Sequence, residues 1–426
     1  MKVLFYGTRG PQVQLLQLAL QRAGYDPGGT DGIFGARTDL ALRRFQAASG
    51  LVADGVAGPR THSALDPYYT GYLDYIIDYG DSYYRLAARF GTTVRAIEAA
   101  NPDSDPLNLT PGEPLVIPLG FDVVPTTIDY CSELVSFCCR GIAARYPSVT
   151  WSDIGQSVMR RPLERLTLGR GGTRVFYNAA HHANEWITTP LLLKFTEDLA
   201  RAEAFGEALD GKNALELLDS TVLSVVPCVN PDGLDLVTGD LTGGMYYDRA
   251  REIAEAFPAI PFPSGWKANI AGTDLNLQYP AGWEQAREIK FAQGFNRPAP
   301  RDYVGPGPLT APESLAVYQF TLRYSPALTL SYHTQGNVIY WKFQDFEPPM
   351  SREIAYRFAA VSGYLAEDTP YASGFAGYKD WFIQNYNRPG YTIEAGIGDN
   401  PLPLSQFDRM YSDNLGILTL GLTVLR

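Results

Sequence analysis

Two adjacent histidines and a nearby glutamate are the residues of this chain best suited to metal chemistry. His181 and His182 lie in the stretch YNAAHHANEWITTP (177–190), and the chain has only four histidines. Glu185 follows three residues after His182. Two imidazole nitrogens and one carboxylate, with a fourth position left for water, form a known catalytic zinc site. The alternative is a pair of histidines that only caps a helix or binds water, so a metal site needs another ligand from elsewhere.

The remaining ligand must be a histidine from another part of the chain. His62 lies in an N-terminal helical pattern, and we expect it to be a plain surface residue. His333 ends the strand-like run PALTLSYHT (326–334). Catalytic residues of open α/β sheets gather just beyond the strand ends. His333 is therefore the predicted partner of Glu185 and of one of the adjacent histidines, and we expect one Zn²⁺ ion per chain.

A carboxylate near the predicted metal site would serve as the general base. Glu394 lies in the run YTIEAG (391–396), and small residues that leave room for a substrate follow it. Its apolar neighbours Ile393 and Ala395 predict a buried carboxylate rather than a surface one. A carboxylate close to the metal, but not bound to it, can accept a proton from zinc-bound water, whose pKa is about 7.

The elements that must position these residues alternate over residues 121–426. The strand-like runs are TRVFYNAA (173–180), STVLSVVPCV (220–229), PALTLSYHT, NVIYWKF (337–343) and YTIEAG. Between them, residues 187–203, 311–324 and 351–366 have helical periodicity. Such alternation predicts an α/β domain with a mixed sheet that is flanked by helices on both faces.

The first 66 residues contain an internal repeat. The segment TDGIFGARTDLAL (30–42) returns as ADGVAGPRTHSAL (53–65), with an Asp-Gly turn ahead of each helical pattern. The sequence predicts a small bundle of short helices. Residues 1–66 resemble the peptidoglycan-binding domain of the PG_binding_1 family, and the resemblance implies peptidoglycan as the partner.

A strand–helix–helix–strand pattern follows over residues 72–119. Its helical patterns are DSYYRLAARFG (81–91) and TVRAIEAANP (93–102), between the strand-like runs YIIDY (75–79) and PLVIP (114–118). This pattern resembles a LysM module, whose family binds the N-acetylglucosamine backbone of peptidoglycan or chitin; a structural spacer is the alternative. We expect both N-terminal domains to be targeting devices, so that deletion of 1–118 leaves hydrolysis of short peptides nearly intact.

Residues 121–426 resemble a zinc carboxypeptidase of the M14 family, whose motifs occur here in the family order. They are HHANEW (181–186), VNPDG (229–233), GTDLNLQYP (272–280), SYHTQG (331–336) and TIEAG (392–396). The resemblance implies that His182, Glu185 and His333 bind the zinc ion and that His181 is only a neighbour. It also implies that Glu394 is the catalytic base.

Two further catalytic roles follow from the same resemblance. Asp274 matches the family's acidic residue that does not bind the metal itself but orients the first histidine ligand, His182. Lys267, in GWKAN (265–269), lies where the family has an arginine that stabilises the oxyanion. The ammonium group of a lysine can also stabilise developing negative charge, but it cannot form the two parallel hydrogen bonds of a guanidinium group.

One departure from the family follows directly after Asn276, a predicted substrate-binding residue. True carboxypeptidases have an arginine there that binds the substrate's C-terminal carboxylate, whereas this chain has Leu277. A subset of the family with wall-binding domains shares this change; its members are γ-D-glutamyl-L-diamino acid endopeptidases. Lys379 aligns with the family position that recognises the side chain on the leaving side of the scissile bond; a solvated lysine is the alternative. Tyr371, or its rival Tyr378, aligns with the tyrosine that covers the substrate.

We therefore expect a zinc-dependent hydrolase of the bond between γ-D-glutamate and meso-diaminopimelate in peptidoglycan stem peptides. The alternatives are a zinc carboxypeptidase of broader specificity, an inactive wall-binding protein, and a zinc deacylase of small acylated amino acids. The intact ligand pattern disfavours an inactive protein, and two glycan-binding domains favour a polymeric substrate. The sequence leaves open lysine instead of diaminopimelate in the stem, the need for a free N-terminal L-alanine, and the oligomeric state.

The composition excludes some partners and suggests a compartment. The net charge of −11 over 426 residues disfavours nucleic acid and an anionic membrane surface. No apolar run is long enough to span a bilayer, and the N-terminal stretch lacks the apolar segment of a signal peptide. We expect a cytoplasmic or spore-associated protein that acts on the cell wall or on recycled muropeptides. The four cysteines, Cys131, Cys138, Cys139 and Cys228, are expected to be reduced core thiols.

Overall fold

The structure is a computed structural model that describes residues 1–425. Along the chain it comprises a helical region (1–71), a small βααβ region (72–118) and a large α/β region (119–425). This order of structural classes agrees with the order that the sequence predicts. Among the described residues, no helix is both long enough and apolar enough to cross a membrane.

The helical region consists of α1 (Pro11–Arg22), α2 (Ala36–Ala48) and α3 (Pro59–Thr70). Its sequence repeat is also a structural repeat, because a buried glutamine of the preceding helix holds each Asp-Gly turn. The Gln17 amide donates to Asp31 at 2.8 Å and accepts from the N–H of the following glycine. Gln46 makes the same two bonds with Asp54 and its following glycine. Both glycines have a φ of 71°, a left-handed conformation that favours glycine.

The βααβ region pairs two antiparallel strands across two short helices. These elements are β1 (Tyr72–Ile76), α4 (Tyr83–Phe90), α5 (Val94–Ala100) and β2 (Pro114–Pro118). The side chains of Ser82 and Thr93 cap the two helices by accepting backbone N–H groups in the first turn. The buried side chains of this region, Leu86, Ile97 and Ile117 among them, form an apolar cluster of their own.

Within residues 119–425 there are ten strands, of which eight form one mixed sheet. The strands are β3 (Thr150–Gln156), β4 (Pro162–Leu168), β5 (Thr173–Ala179), β6 (Ala208–Leu209), β7 (Lys212–Asn213), β8 (Thr221–Val226), β9 (Leu328–His333), β10 (Val338–Tyr340), β11 (Leu365–Glu367) and β12 (Gly390–Glu394). The sheet has the order β11-β10-β12-β9-β5-β8-β4-β3, and β6 pairs only with β7. Strands β12, β9, β5 and β8 are parallel, so their carboxyl ends meet at one edge of the sheet.

Residues 119–425 also form ten α-helices. They are α6 (Ser132–Arg145), α7 (Thr188–Phe205), α8 (Ala214–Ser220), α9 (Pro231–Val237), α10 (Met245–Glu255), α11 (Trp283–Ala292), α12 (Pro312–Tyr324), α13 (Ser351–Ser362), α14 (Tyr378–Tyr386) and α15 (Phe407–Leu420). Val175 and Tyr177 of β5 pack into one apolar cluster with α7 and α15. Phe176, between them, packs into another with α12 and α14. Because successive strand residues point to opposite faces, helices cover both faces, and the predicted fold class is confirmed.

The secondary structure departs from the sequence prediction in two places. The helix expected over 351–366 ends at Ser362, where Gly363 adopts a φ of 75°, and residues 365–367 form β11 instead. Strands β3 and β4 have no counterpart in the prediction. Strand β3 lies at the sheet edge and is mostly exposed, so it lacks the apolar alternation that marks a strand in sequence.

His62 is buried, so the expectation of a plain surface residue is wrong. Its side chain is 7% exposed, with Nδ1 at 2.9 Å from the Tyr69 hydroxyl and Nε2 at 2.9 Å from the Lys2 carbonyl oxygen. The N-terminal segment, which has no helical pattern, packs against α3 and covers this histidine. The four cysteines are free and buried, as expected.

Candidate metal and active site

The ends of two neighbouring strands bring three metal-binding side chains together. Strand β5 leads into a short 3-10 turn (Ala183–Glu185), with His182 immediately before it, and β9 ends at His333. Because β5 and β9 are adjacent and parallel, both chain positions lie at the same edge of the sheet. One ligand atom from each of His182, Glu185 and His333 lies within 4.8 Å of the others.

The geometry of these three side chains fits a cation with nitrogen and oxygen ligands. Nδ1 of His182 and Nδ1 of His333 are 3.2 Å apart. These nitrogens lie 2.9 and 2.8 Å, respectively, from different oxygens of Glu185. Two lone pairs at this distance repel each other unless a proton or a metal lies between them. Two histidines and one carboxylate are also a known ligand set of catalytic zinc, with a fourth position left for water.

Asp274 contacts the ring nitrogen of His182 that points away from Glu185 and His333. Its Oδ1 lies 3.1 Å from Nε2 of His182, which fixes the proton on Nε2 and leaves Nδ1 free to bind a metal. Burial raises the pKa of Asp274, but His182 outweighs it and lowers that pKa below its ordinary value. Burial likewise opposes protonation of His182, whereas Glu185 and Asp274 raise the pKa of this histidine to about 9.

His181 lies outside the cluster of ligand atoms. Its Nε2 is 3.0 Å from the Tyr279 hydroxyl, and its ring stacks against Tyr378 at a centroid distance of 6.1 Å. Burial lowers the pKa of His181 well below its ordinary value, so the ring is neutral. The ring of His181 thus packs among aromatic side chains, and its exclusion from metal binding stays a prediction.

Lys267 approaches the cluster from a loop that is joined to the metal-binding turn. Its Nζ lies 3.0 Å from Oε1 of Glu185. Burial lowers the pKa of Lys267, but Glu185 more than offsets this effect and raises it. The side-chain amide of Asn230, in the VNPDG motif, donates to the carbonyl oxygens of His181 and Ala268 at 3.2 and 3.0 Å. This motif therefore fixes the position of the lysine relative to the metal ligands.

Glu394 lies beside the cluster on the other neighbour of β9. It is the last residue of β12 and is paired with His333 in the strand register. Within residues 1–425, its carboxylate makes no hydrogen bond and no ion pair. Burial raises the pKa of Glu394; His333 opposes this rise and Glu185 adds to it. An unpaired carboxylate with a raised pKa, next to metal ligands, has the properties of a general base.

A polar cavity of about 240 Å³ opens beside the metal ligands. Six of the predicted site residues line it, His182, Lys267, Asp274, Asn276, Lys379 and Glu394, and so does Leu277. A larger cavity of about 470 Å³ lies between α3 and α6 and contains none of the predicted site residues. The smaller cavity is therefore the candidate substrate site, because its wall includes the metal-binding candidate His182 and the free carboxylate of Glu394.

The predicted substrate-binding residues differ in how free they are to contact a substrate. The Oδ1 atom of Asn276 accepts the N–H of Tyr378 at 3.0 Å, and Leu277 packs into a small apolar cluster with Trp283. The ammonium group of Lys379 lies 2.5 Å from the Asp380 carboxylate, so its charge is already neutralised. Recognition of a substrate charge by this lysine stays a prediction.

The two tyrosines that compete for the role of covering the substrate are in different environments. Tyr378 is fully buried and its hydroxyl lies 3.0 Å from that of Thr321, so it cannot reach into the cavity. Tyr371 is 62% exposed and precedes Ser373, a residue of the cavity wall. Of the two, only Tyr371 is free to move over a substrate.

Besides Asp380, three charged residues of the cavity wall have no counterpart in the sequence prediction. They are Lys290, Arg301 and Asp302, which form a connected group: Asp302 pairs with both Lys290 and Arg301 at 2.6 Å. The signal in the sequence was weak, a charged Arg-Asp pair after a proline in PAPRDYVG (298–305). Only the folded chain shows that this loop faces the metal ligands.

Three protein families match successive parts of the chain. The PG_binding_1 family, a peptidoglycan binding domain, matches residues 9–65, and the LysM domain matches residues 75–118. The zinc carboxypeptidase family, Peptidase_M14, matches residues 136–416, which include every residue of the candidate site.

Individual relatives agree with these matches. Gamma-D-glutamyl-L-diamino acid endopeptidase 1 of Lysinibacillus sphaericus is 43% identical over 283 residues, which cover 66% of this chain and 69% of the relative. A protein named YqgT from Bacillus subtilis (strain 168) is 40% identical over 276 residues, 64% of this chain and 72% of that protein. Bovine thrombin-activatable fibrinolysis inhibitor, solved in complex with tick carboxypeptidase inhibitor, is 18% identical with a TM-score of 0.54, and the match covers 70% of this chain and 97% of that one, a likeness of fold. The chain therefore belongs to the M14 family of zinc carboxypeptidases and carries PG_binding_1 and LysM domains ahead of its peptidase domain.

Proposed function

We propose that this zinc peptidase hydrolyses peptidoglycan stem peptides at the bond between γ-D-glutamate and meso-diaminopimelate. The observation that carries the proposal is the cluster of His182, Glu185 and His333 beside a polar cavity whose wall includes His182, Glu394 and Leu277. The relative with 43% identity is named an endopeptidase for γ-D-glutamyl-L-diamino acid bonds. The two N-terminal domains support a cell-wall polymer as the substrate.

The residues of the site divide the work of amide hydrolysis among them. A zinc ion bound by His182, Glu185 and His333 would act as a Lewis acid and would lower the pKa of the attacking water. Glu394 accepts a proton from the attacking water and delivers it to the leaving amine, so that the carbon–nitrogen bond breaks after the new carbon–oxygen bond has formed. Lys267 holds the negative charge that develops on the carbonyl oxygen.

The apolar side chain of Leu277 supports an endopeptidase rather than a common carboxypeptidase. A substrate carboxylate buried against this leucine would lack a partner there, and an unpaired buried charge costs several kcal/mol. C-terminal residues of ordinary α-linked peptides are therefore expected to be poor substrates. A diamino acid can enter in a different orientation, because it carries a second carboxylate on its side chain.

Digestion of L-Ala-γ-D-Glu-meso-diaminopimelate, followed by mass spectrometry, tests the proposal. The expected products are L-Ala-D-Glu and free diaminopimelate. The Glu394→Gln variant should keep its zinc and lose about 10²- to 10⁴-fold in turnover, the usual contribution of a general base. Rapid trimming of hydrophobic or basic C-terminal residues, with no cleavage of the stem peptide, would identify a carboxypeptidase of broader specificity instead.

Zinc content separates the two adjacent histidines. His182→Ala should lose the metal, because it removes one of three protein ligands, whereas His181→Ala should keep most of it. The two variants are matched in size and position, so equal losses would contradict the ligand assignment.

We also propose that the two N-terminal domains bind the N-acetylglucosamine-containing glycan of the same polymer. The LysM domain presents Tyr79 and Leu107 almost fully exposed, on the loops that follow β1 and α5. Exposed apolar side chains can pack on the faces of sugar rings. Binding of the full chain to purified sacculi, measured by co-sedimentation with and without Tyr79→Ala, tests this part.

A further inference from the structure

One wall of the active-site cavity carries more positive than negative charge. Lys290 and Arg301 share a single carboxylate, Asp302, with each cation 2.6 Å from one of its oxygens. Two cations and one anion leave an excess of one positive charge. The Lys290 side chain is 10% exposed, whereas that of Arg301 is 43% exposed, so the excess is accessible at the arginine.

The other cations of the cavity already have partners. Lys267 pairs with Glu185 at 3.0 Å, and Lys379 pairs with Asp380 at 2.5 Å. Arg301 uses only its Nε for Asp302, and its two terminal nitrogens make no hydrogen bond or ion pair within residues 1–425. These nitrogens form the edge of the guanidinium group that binds a carboxylate through two parallel hydrogen bonds.

The loop that carries Arg301 is fixed to the catalytic residues on both sides. The carbonyl oxygen of Pro300 accepts the N–H groups of Lys267 and Ala268 at 2.8 and 2.9 Å. The N–H of Asp302 donates to Oδ2 of Asp274 at 3.1 Å, and the other oxygen of Asp274 contacts His182. The arginine is therefore held at a defined distance from the metal ligands, and its side chain is oriented by Asp302 before a substrate arrives.

We propose that Arg301 is a specificity residue that binds a substrate carboxylate adjacent to the scissile amide. This inference rests on the proposed function, because the stem peptide offers such carboxylates on both sides of the bond: the α-carboxylate of D-glutamate and the carboxylates of the diamino acid. Leu277 leaves one part of the cavity without a charge for a carboxylate, and Arg301 supplies that charge from a different loop. The site accordingly selects peptides that are acidic next to the cleaved bond.

Matched peptides and variants test the assignment. The peptides are L-Ala-γ-D-Glu-meso-diaminopimelate, the analogue with the glutamate α-carboxylate as an amide, and the analogue with the diaminopimelate carboxylates as amides. Arg301→Met should lower kcat/KM for the first peptide by about 10- to 100-fold, mainly through KM, the range expected for a charge-assisted hydrogen bond. Amidation of the carboxylate that Arg301 binds should lower kcat/KM of the wild-type protein by a similar factor. The Arg301→Met variant should then cleave that analogue nearly as well as the wild type does. The analogue that behaves in this way identifies the carboxylate.

Two further variants exclude a merely structural effect. Arg297→Met removes the same charge from the same loop at an exposed position outside the cavity, and it should leave all three values of kcat/KM unchanged. Arg301→Lys should recover part of the preference for the acidic peptide, since an ammonium group keeps the positive charge but cannot form two parallel hydrogen bonds. Zinc content and thermal midpoint should match those of the wild type in every variant.

Two results would overturn the inference while leaving the proposed function intact. One is wild-type cleavage of the acidic peptide with no loss in Arg301→Met, and the other is an equal loss for all three peptides. If the wild-type protein with full zinc cleaves none of the peptides, the proposed function fails, and the inference fails with it.

Discussion

The helical region and the βααβ region both precede the peptidase domain, but they contact it differently. Buried side chains of α1, α2 and α3 belong to the same apolar cluster as buried side chains of α6 and α7. The βααβ region keeps its buried side chains in a separate cluster. The helical region is therefore part of the folded core of the peptidase domain, whereas the βααβ region is a separately packed unit on its surface.

The contact between α3 and α6 is close enough to depend on a glycine. Tyr69 of α3 stacks on Phe137 of α6, with ring centroids 5.1 Å apart and an angle of 9° between the planes. A Cβ atom at Gly141 of α6 would lie 2.0 Å from the carbonyl oxygen of Thr70. Such an approach excludes any side chain at that position, so the two helices have one defined packing.

The βααβ region is an insertion whose two ends meet. The N–H of Leu119 donates to the carbonyl oxygen of Gly71 at 2.8 Å. The βααβ region contacts the peptidase domain through Arg95, among other residues. Arg95 pairs with Glu207 at 3.0 Å and lies over the ring of Phe205 at 4.4 Å. This contact is polar and about half exposed, so it contributes little to stability. Residues 1–118 are therefore not one removable unit, and we expect their deletion to damage the peptidase fold rather than to leave peptide hydrolysis nearly intact.

Deletion of residues 1–71 should have the largest effect, because it exposes the side of α6 that packs against α3. The stability of a domain is about 5–15 kcal/mol, and removal of part of its core can exceed that amount. We expect an insoluble protein or one without a cooperative unfolding transition. The loss of stability can be measured from the solubility of the deletion variant and from its thermal unfolding, followed by circular dichroism. A soluble variant whose midpoint lies within a few degrees of that of the full chain would contradict a core shared by the helical region and the peptidase domain.

Excision of residues 72–118, with a short glycine-serine bridge from Gly71 to Leu119, should leave the fold intact. We expect the thermal midpoint to fall by less than about 5 °C and hydrolysis of short stem peptides to change less than about threefold. Release of peptides from intact sacculi should fall by about tenfold or more, because tethering raises the effective substrate concentration. A parallel loss on short peptides would mean that this region acts in catalysis rather than in targeting.

Two core substitutions compare the regions within the full chain. Tyr69→Ala and Ile97→Ala each remove a buried side chain, at a cost of about 2–5 kcal/mol. The first should lower the main calorimetric transition by several degrees, whereas the second should unfold only the βααβ region and leave that transition unchanged. Tyr69→Phe, which loses only the hydroxyl that contacts His62, should cost about 1 kcal/mol. Equal effects of the two alanine substitutions on the main transition would show one common core.

The features that the sequence predicted depend on local pattern, and the features that it missed depend on distant contacts. His333 and Glu394 were predictable because each ends a strand-like run, and parallel strands place their ends together. Arg301 was not predictable, because its place in the cavity depends on bonds from its loop to Lys267 and Asp274. The burial of His62 depends in the same way on a contact 60 residues distant in sequence. Strand β3 lacks an apolar pattern for a different reason, since it lies at the sheet edge and most of its residues are exposed.

Arg95→Ala should have the smallest effect of these changes, and it tests whether the βααβ region is only tethered. An exposed ion pair contributes about 0–1 kcal/mol, and an exposed cation–π contact about 0.5–1 kcal/mol. We therefore expect the thermal midpoint to change by about 1–2 °C at most and activity on sacculi to change less than about twofold. Glu207→Gln removes the ion pair but keeps the contacts of Arg95 with the ring and the carbonyl oxygen of Phe205, so the double variant separates the ion pair from these two contacts. If Arg95→Ala alone reproduces the loss on sacculi caused by excision of 72–118, the orientation of this region, rather than its tethering, controls access to the polymer. In that case the surface contact at Arg95 is as important for function as the shared core is for the helical region, and the contrast between the two regions applies only to stability.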